Sequence, residues 1–438
     1  MRPFQGAAPC AAPPRRSVAN SWLLAALAFL VPIEGLIAQG SRALAATVLM
    51  VLCVVRFLHR RWKARSVKIG QPLALFGVPC LLLVWLSPLW SPAPGQAAAL
   101  AIRFTLLASM AVAITAFGAS EWGWTRLARA FVMGSSLLAA SVISSFLGGR
   151  PVGGVPARGP YAADRYSAEE SDPNLVALTL VLGLLIALTL LLAKPLRTHD
   201  RYASFWRSGL TATVPLFALS IVLTGSRGGA IAAIPAIGFT LWNSESLRVP
   251  SKRRTLAVLT LLMFALFGAG IVPRSTTERL LNARDAWEHD GGAGRQAIWE
   301  STIDLIEDSR FLGLGLGGTR FHLGSVFQRD RVAHNTYLTV LGDLGAVGFA
   351  LVLGLAIAIY RKYHSRKNGS KSPRLGLLIA VAIGGLSLNL ESARVTWFAI
   401  AMALAPTYSK VTLLRSGHPH SYGTGGRRMV CAKAESVP

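Results

Sequence analysis

Acidic side chains are scarce in this chain, 20 Asp and Glu against 45 Lys and Arg over 438 residues, and charged residues of both signs reach only 15 %. Soluble globular domains carry about a quarter of their residues charged, so a single water-soluble core is excluded. Cysteine is nearly absent: Cys10, Cys53, Cys80 and Cys431 show neither a paired nor a metal-ligating spacing. That argues against a disulfide framework and against a cysteine zinc site. No Gly-x-x-x-x-Gly-Lys-Ser/Thr string occurs, which excludes a P-loop for ATP hydrolysis, and no Asp-x-Asp pair occurs, which favours chemistry without a metal. Strictly alternating segments of about ten residues, the mark of a membrane β-barrel, are missing as well.

What the chain has is apolar sequence in long runs, 52 % hydrophobic residues with a mean hydropathy of +0.47. A bilayer-crossing helix needs about 20 such residues. The expectation is an all-α, polytopic integral membrane protein with about 12 transmembrane helices, at residues 17–33, 41–57, 72–89, 97–118, 127–147, 174–193, 208–224, 229–242, 255–272, 335–360, 375–390 and 396–413. Residues 1–272 hold nine of these spans and a long loop at 148–173; residues 273–334 form a second, larger loop; residues 335–413 hold the last three spans; residues 414–438 read as a polar cytoplasmic tail. Arg15 and Arg16 precede the first span as in a signal sequence, but no small-residue cleavage site follows, so this is read as an uncleaved span.

The net charge of +25 raises the question of nucleic acid. Lysine and arginine sit in polar loops between apolar runs, the pattern of a topology signal, so the expected partner is the lipid bilayer and not nucleic acid. With a cytoplasmic N-terminus, the loops holding Arg60, Arg61, Lys63, Arg65 and Lys68 and then Arg361, Lys362, Arg366, Lys367 and Lys371 all face inward. Every lysine falls inside or in a span, whereas the outer loops carry arginine alone. A guanidinium fork binds phosphate bidentately and keeps its charge at any pH, so this asymmetry points to phosphate recognition on the outer side.

Both long loops are outer ones, and loops beyond about 15 residues are usually functional or disordered. In the larger, residues 295–309 read as an amphipathic helix, with Ile298, Trp299, Ile303, Leu305 and Ile306 opposite Glu300, Asp304, Glu307 and Asp308. Five strings converge on the outer level: ADRYSAEESDPNLVAL (163–178), LTGSRGGA (223–230), GRQAIW (294–299), FLGLGLGGTRF (311–321) and AHNTYLTVLGDLGAVG (333–348). The glycine string opens no βαβ unit and is not a dinucleotide fingerprint.

In this order the strings resemble the O-antigen ligase and polymerase family. They match its Arg before a D/N-P-N (Arg165, then Asp172, Pro173 and Asn174), its G/T-S-R-G hairpin (Arg227), its loop G-R-x-x-x-W (Arg295), its G-x-G stretch, and its H-N-x-(Y/L)-L followed by an acidic residue and glycines (His334 and Asn335). The resemblance covers about residues 160 to 350; Asp172, Glu169 and Glu170 stand where many members are less charged. It implies an all-helical, GT-C-like membrane glycosyltransferase of the inner membrane. Its donor would be an undecaprenyl-diphosphate-linked glycan. The acceptor would be another glycan or the lipid A core, met on the periplasmic side.

On this reading Arg165, Arg227 and Arg295 clamp the diphosphate, His334 is the general base, Asn335 supports it, and Glu34, in the first outer loop, is the second choice for an acid or base. Transfer would be metal-independent, cofactor-free and inverting. Duller readings stand beside these: an interfacial His334, an Arg227 that caps helix carbonyls, and an Arg165 paired with Asp164, Glu169, Glu170 or Asp172. For Arg295, a position at a helix start opposes the macrodipole and so disfavours a capping role. Glu288, His289 and Asp290 are a candidate metal cluster. The competing function is a polysaccharide or lipid transporter, which would place ionisable residues at mid-membrane and show repeated halves. Here only Arg103 lies deep in a span, and no repeat is visible.

Overall fold

The computed structural model describes residues 18–37, 42–63, 73–152, 165–168, 171–193, 203–244, 283–364 and 373–405, and among these no strand occurs. The chain is all-helical. It opens with α1 (Val18–Leu30), the single turn α2 (Glu34–Ile37) and α3 (Arg42–Lys63). A wide turn (Leu73–Gly77) leads into α4 (Val78–Leu86), and a tight one (Ser87–Leu89) ends it. Then come α5 (Pro94–Phe117), α6 (Glu121–Leu147), α7 (Pro173–Leu192), α8 (Ala203–Leu223) and α9 (Arg227–Trp242). The C-terminal half holds α10 (Ala283–Asp308), α11 (Gly318–Phe327), α12 (Thr336–His364), α13 (Gly376–Gly384) and α14 (Arg394–Leu404).

Five of these, α5, α6, α7, most of α8 and Thr336–Ala358 of α12, are long and apolar enough to cross a bilayer; α3, α4, α13 and α14 contribute shorter apolar stretches. Helix α7 is apolar on every face and buried along most of its length, which makes it the centre of the bundle. Helices α6, α8, α9 and α13 pack around it, and α1 packs outside α6. Phe131 of α6 stacks on Phe398 of α14 at 4.6 Å between ring centres, joining the N-terminal and C-terminal helices through the core.

Three expectations need correction. The span expected over 335–360 is interrupted at Gly345, whose φ of 66° and ψ of −172° are not helical. The amphipathic helix expected at 295–309 is the second part of α10, which begins at Ala283. Arg295 therefore lies mid-helix, and the dipole argument made for it does not apply. The glycine string follows the end of α10 at Asp308 and leads into a further helix, α11. The ninth expected span (255–272) and the tail (414–438) lie outside the described residues, as do the side chains of Glu288, His289 and Asp290.

Candidate active site

The turn between α8 and α9 is built from Thr224, Gly225 and Ser226. Gly225 takes a left-handed φ of 60°, which glycine adopts without a side-chain penalty. Ser226 then caps α9, its Oγ accepting the Gly229 N–H at 3.1 Å, so that Arg227 becomes the first helical residue. The two glycines that follow allow close approach: a Cβ on Gly229 would sit 2.7 Å from Ala177 of α7, and one on Gly228 would sit 2.4 Å from the Ser387 hydroxyl. This short sequence thus pins the arginine between α7 and the connection from α13 to α14.

Arg165 joins the same corner. Its Nη2 donates to Asn174 Oδ1 at 2.7 Å and its Nε to the Thr224 carbonyl at 3.0 Å, while Ser226 Oγ donates to the same Asn174 oxygen at 3.0 Å. Asp172 caps α7, its Oδ1 accepting the Asn174 N–H at 2.8 Å. The D-P-N string is therefore a helix start whose cap and first turn hold Arg165 against the hairpin. The next residues of that loop, Tyr166 and Ala168, are buried.

Helix α10 supplies Arg295 and fixes His334. Trp299, one turn after Arg295 on the same face, donates its indole N–H to the carbonyl of Ala333 at 2.9 Å, and Ile298, Leu323 and Ala333 form a small buried cluster beneath. His334 follows directly with a φ of 49°, a conformation that non-glycine residues adopt at a cost and that concentrates at functional sites. Asn335 caps α12: its Oδ1 accepts the N–H groups of Tyr337 and Leu338 at 3.0 and 3.2 Å.

Electrostatically these residues are one site. Burial draws the His334 imidazole below its ordinary value; Arg295 and Arg331 push the same way and Asp172 opposes them. The Arg295 guanidinium is likewise drawn down by burial, raised by Asp172 and lowered by Arg227, yet arginine stays charged at any ordinary pH. Two half-buried cations from different helices thus act on each other beside an imidazole held in its neutral form at pH 7, the form able to take a proton.

The glycine string is tied to α12. Leu314 and Gly315 donate their N–H groups to the carbonyls of Gly342 and Asp343 at 2.9 and 2.8 Å. The Asp343 carboxylate accepts the N–H groups of Gly317 and Thr319, both at 2.9 Å, and so caps α11 from outside. Gly313, Gly315, Gly317 and Gly345 all have positive φ.

The structure thus brings Arg227, Arg295 and His334 together and links Arg165 and Asn335 to them through caps. Glu34 forms an ion pair with Arg394, which also donates to Thr47 Oγ1 at 2.6 Å. Sequence reasoning gave no role to Asp343, Arg394 or Glu391, and it noted Asp172 in the D-P-N string, as a departure from the pattern and as a possible partner of Arg165. Burial raises the Glu391 carboxyl above its usual range; one of its oxygens accepts from Asn389 at 3.2 Å and the other is buried with no hydrogen-bond partner. The acidic position after the His-Asn pair was the available signal for Asp343. None existed for Glu391, nor for Arg394, whose partners Glu34 and Thr47 lie far away in sequence.

A search of curated proteins gives no match. The family model described as O-antigen ligase matches residues 212–353, from within α8 to within α12. That segment carries Arg227, Arg295 and His334, and over it the chain is similar to the O-antigen ligase family.

Proposed function

We propose that the protein moves a glycan from an undecaprenyl-diphosphate carrier to an acceptor sugar hydroxyl at the periplasmic face of the inner membrane, as an O-antigen ligase or a polysaccharide polymerase. The family match supports O-antigen ligase or polymerase activity in general; the donor, the side of the membrane and the mechanism go further than the match. The observation that carries it is the convergence of Arg227 and Arg295, whose charges act on each other, next to a His334 that burial draws below its ordinary value. A diphosphate bound there would add to the offset that Asp172 already gives against the repulsion of Arg295 by Arg227.

In the proposed reaction the acceptor oxygen attacks the anomeric carbon, and the bond from that carbon to the diphosphate oxygen breaks. The hydroxyl proton passes to the His334 imidazole. Negative charge grows on the departing diphosphate, where Arg227 and Arg295 stabilise it and Arg165 supports the corner that holds them. Attack from the face opposite the leaving group inverts the anomeric centre, and no step requires a metal.

The cation that the transporter reading would draw on, Arg103, is engaged within the fold: it donates its Nε to the Ser392 carbonyl at 3.1 Å, in the connection before α14. The deciding experiment is transfer by the purified protein in lipid nanodiscs from a lipid-linked glycan to lipid A core or to a second lipid-linked repeat. Labelling of a cysteine introduced beside His334 in intact cells tests the side of the membrane. No transfer to either acceptor, or labelling only from the cytosol, would defeat the proposal.

A further inference from the structure

Helix α11 has two unlike faces. Thr319 and Leu323 are buried against the body of the protein, and His322 meets Ser301 of α10 at 3.3 Å between Oγ and Nε2. The other face carries Arg320, Phe321, Gly324 and Ser325. With Gln96 from the first turn of α5 and Asp330 from the segment before His334, it lines a cleft of about 470 Å³. The volume lies within the range of small-molecule sites, and it is separate from the arginines and histidine already described.

The chemistry of the lining is specific. Arg320 and Asp330 form a fork, Nε to Oδ1 at 2.6 Å with a second contact from Nη2 to Oδ2. The Arg320 fork holds the Asp330 carboxyl below its usual range and keeps it ionised. The pair is thus neutral as a unit, which disfavours a phosphate, yet it presents rigid donors and acceptors beside the amide of Gln96 and the hydroxyl of Ser325. Phe321, 51 % exposed, adds an apolar ring face. A neutral, planar polar array next to an exposed aromatic ring suits a pyranose, whose hydroxyls take the polar groups and whose C–H face takes the ring.

Gly324 supplies the second observation. It lies inside α11, where glycine is among the least favourable residues. Packing does not require it there, since a Cβ would meet nothing closer than the Arg329 carbonyl at 3.9 Å. Its lack of a side chain leaves the cleft open. Asp330 is four residues before His334, so the two backbones are at most about 14 Å apart, within the reach of a few linked sugar rings.

We propose that this cleft is a glycan subsite, holding sugar residues of a substrate whose reacting end lies at His334. The proposal deepens the transferase reading, since it names a specificity surface for that site, but glycan binding can be measured without transfer. The hydroxyl-rich ligand could be the donor's chain or the acceptor's, and the probes separate them. They are two phosphate-free oligosaccharide fractions released by mild acid from the host's lipopolysaccharide, one from the O-chain and one from the core.

The test is saturation-transfer NMR of the full-length protein in nanodiscs, with kinetics alongside. At least one fraction should bind wild type and Arg227→Ala alike, and its signal should vanish in Gly324→Leu and in Phe321→Ala. Gly324→Ala serves as the folding control and should keep its helix content and melting temperature. In transfer assays Gly324→Leu should raise KM for the matching substrate about tenfold or more while kcat at saturation stays within about twofold. O-chain binding assigns the cleft to the donor, core binding to the acceptor. The subsite is overturned if neither fraction binds wild type, or if both cleft variants bind and turn over as wild type does. Loss of transfer in Arg227→Ala beside unaltered cleft variants would then leave the transferase standing without the subsite. Binding without any transfer would leave the subsite and remove the transferase.

Discussion

Oδ2 of Asp343 accepts the backbone N–H of Gly317 at 2.9 Å, across 26 residues of sequence, while Oδ1 takes that of Thr319. One buried carboxylate on α12 thus closes the N-terminus of α11, where the first amides have no partner within the helix. Asp343→Ala leaves both amides buried and unsatisfied, at about 1–3 kcal/mol each. The expected result is a clear fall in the melting temperature of the purified protein, with Asp343→Asn intermediate because it keeps one acceptor oxygen. Equal melting of all three proteins would show that the cap contributes nothing.

At the proposed diphosphate clamp, Arg227→Ala, Arg295→Ala and His334→Ala should each abolish glycan transfer while membrane insertion and yield stay normal. Arg227→Lys and Arg295→Lys should remain severely impaired, because a point charge does not reproduce the two-pronged donor. Transfer rates should be measured with purified variants, and wild-type rates in the three alanine variants would remove the assignment.

The acid limb of the rate profile offers a test with a sign. A general base works when unprotonated, so activity falls as pH drops through the pKa of His334, which burial and two arginines set below the usual imidazole value of about 6.5. Asp172 raises that pKa and Arg331 lowers it. Asp172→Asn, which keeps a capping side chain, should move the acid limb of kcat/KM to lower pH. Arg331→Gln should move it to higher pH. Identical limbs in both variants would separate His334 from the proton transfer.

Gly315 has a φ of 82°, and a Cβ there would lie 2.6 Å from the Ser87 carbonyl oxygen. Gly315→Ala brings both backbone strain and a collision with main chain that cannot swing away, so destabilisation of more than about 1 kcal/mol is expected. Gly209→Ala, where a Cβ meets nothing within 4 Å, is the control and should melt as wild type or slightly higher. Thermal unfolding in detergent compares them.

Because no proposed step uses a metal, saturating EDTA should leave the initial transfer rate within about twofold of the untreated enzyme. A rate that collapses with chelator and returns with a divalent cation would contradict the mechanism.

Much of the fold was legible because bilayer helices declare themselves by apolar length. The runs at 97–118, 174–193 and 208–224 appear as α5, α7 and α8 within a few residues. Breaks inside helices were harder to read. Gly345 looks like any glycine in an apolar run, and its non-helical turn follows from Phe311 and Leu312 packing against it, contacts made by a distant segment. Helix α11 was hidden for a related reason, since its cap comes from Asp343 and not from a neighbouring residue. At the candidate site, Arg227 and His334 were legible through the local grammar of a Ser cap before glycines and an Asn cap before an apolar helix. The Glu34 contact was not, because its partner Arg394 enters from the far end of the chain.

That ion pair has a consequence for biogenesis. Glu34 and Arg394 are separated by 360 positions, so during translation the first helices enter the membrane long before the residue that fastens them has been made. The amino-terminal helices can pack on α5 and α6 as those emerge, but the corner around Arg394, with its ties to Glu34 and Thr47, is completed only when α14 arrives.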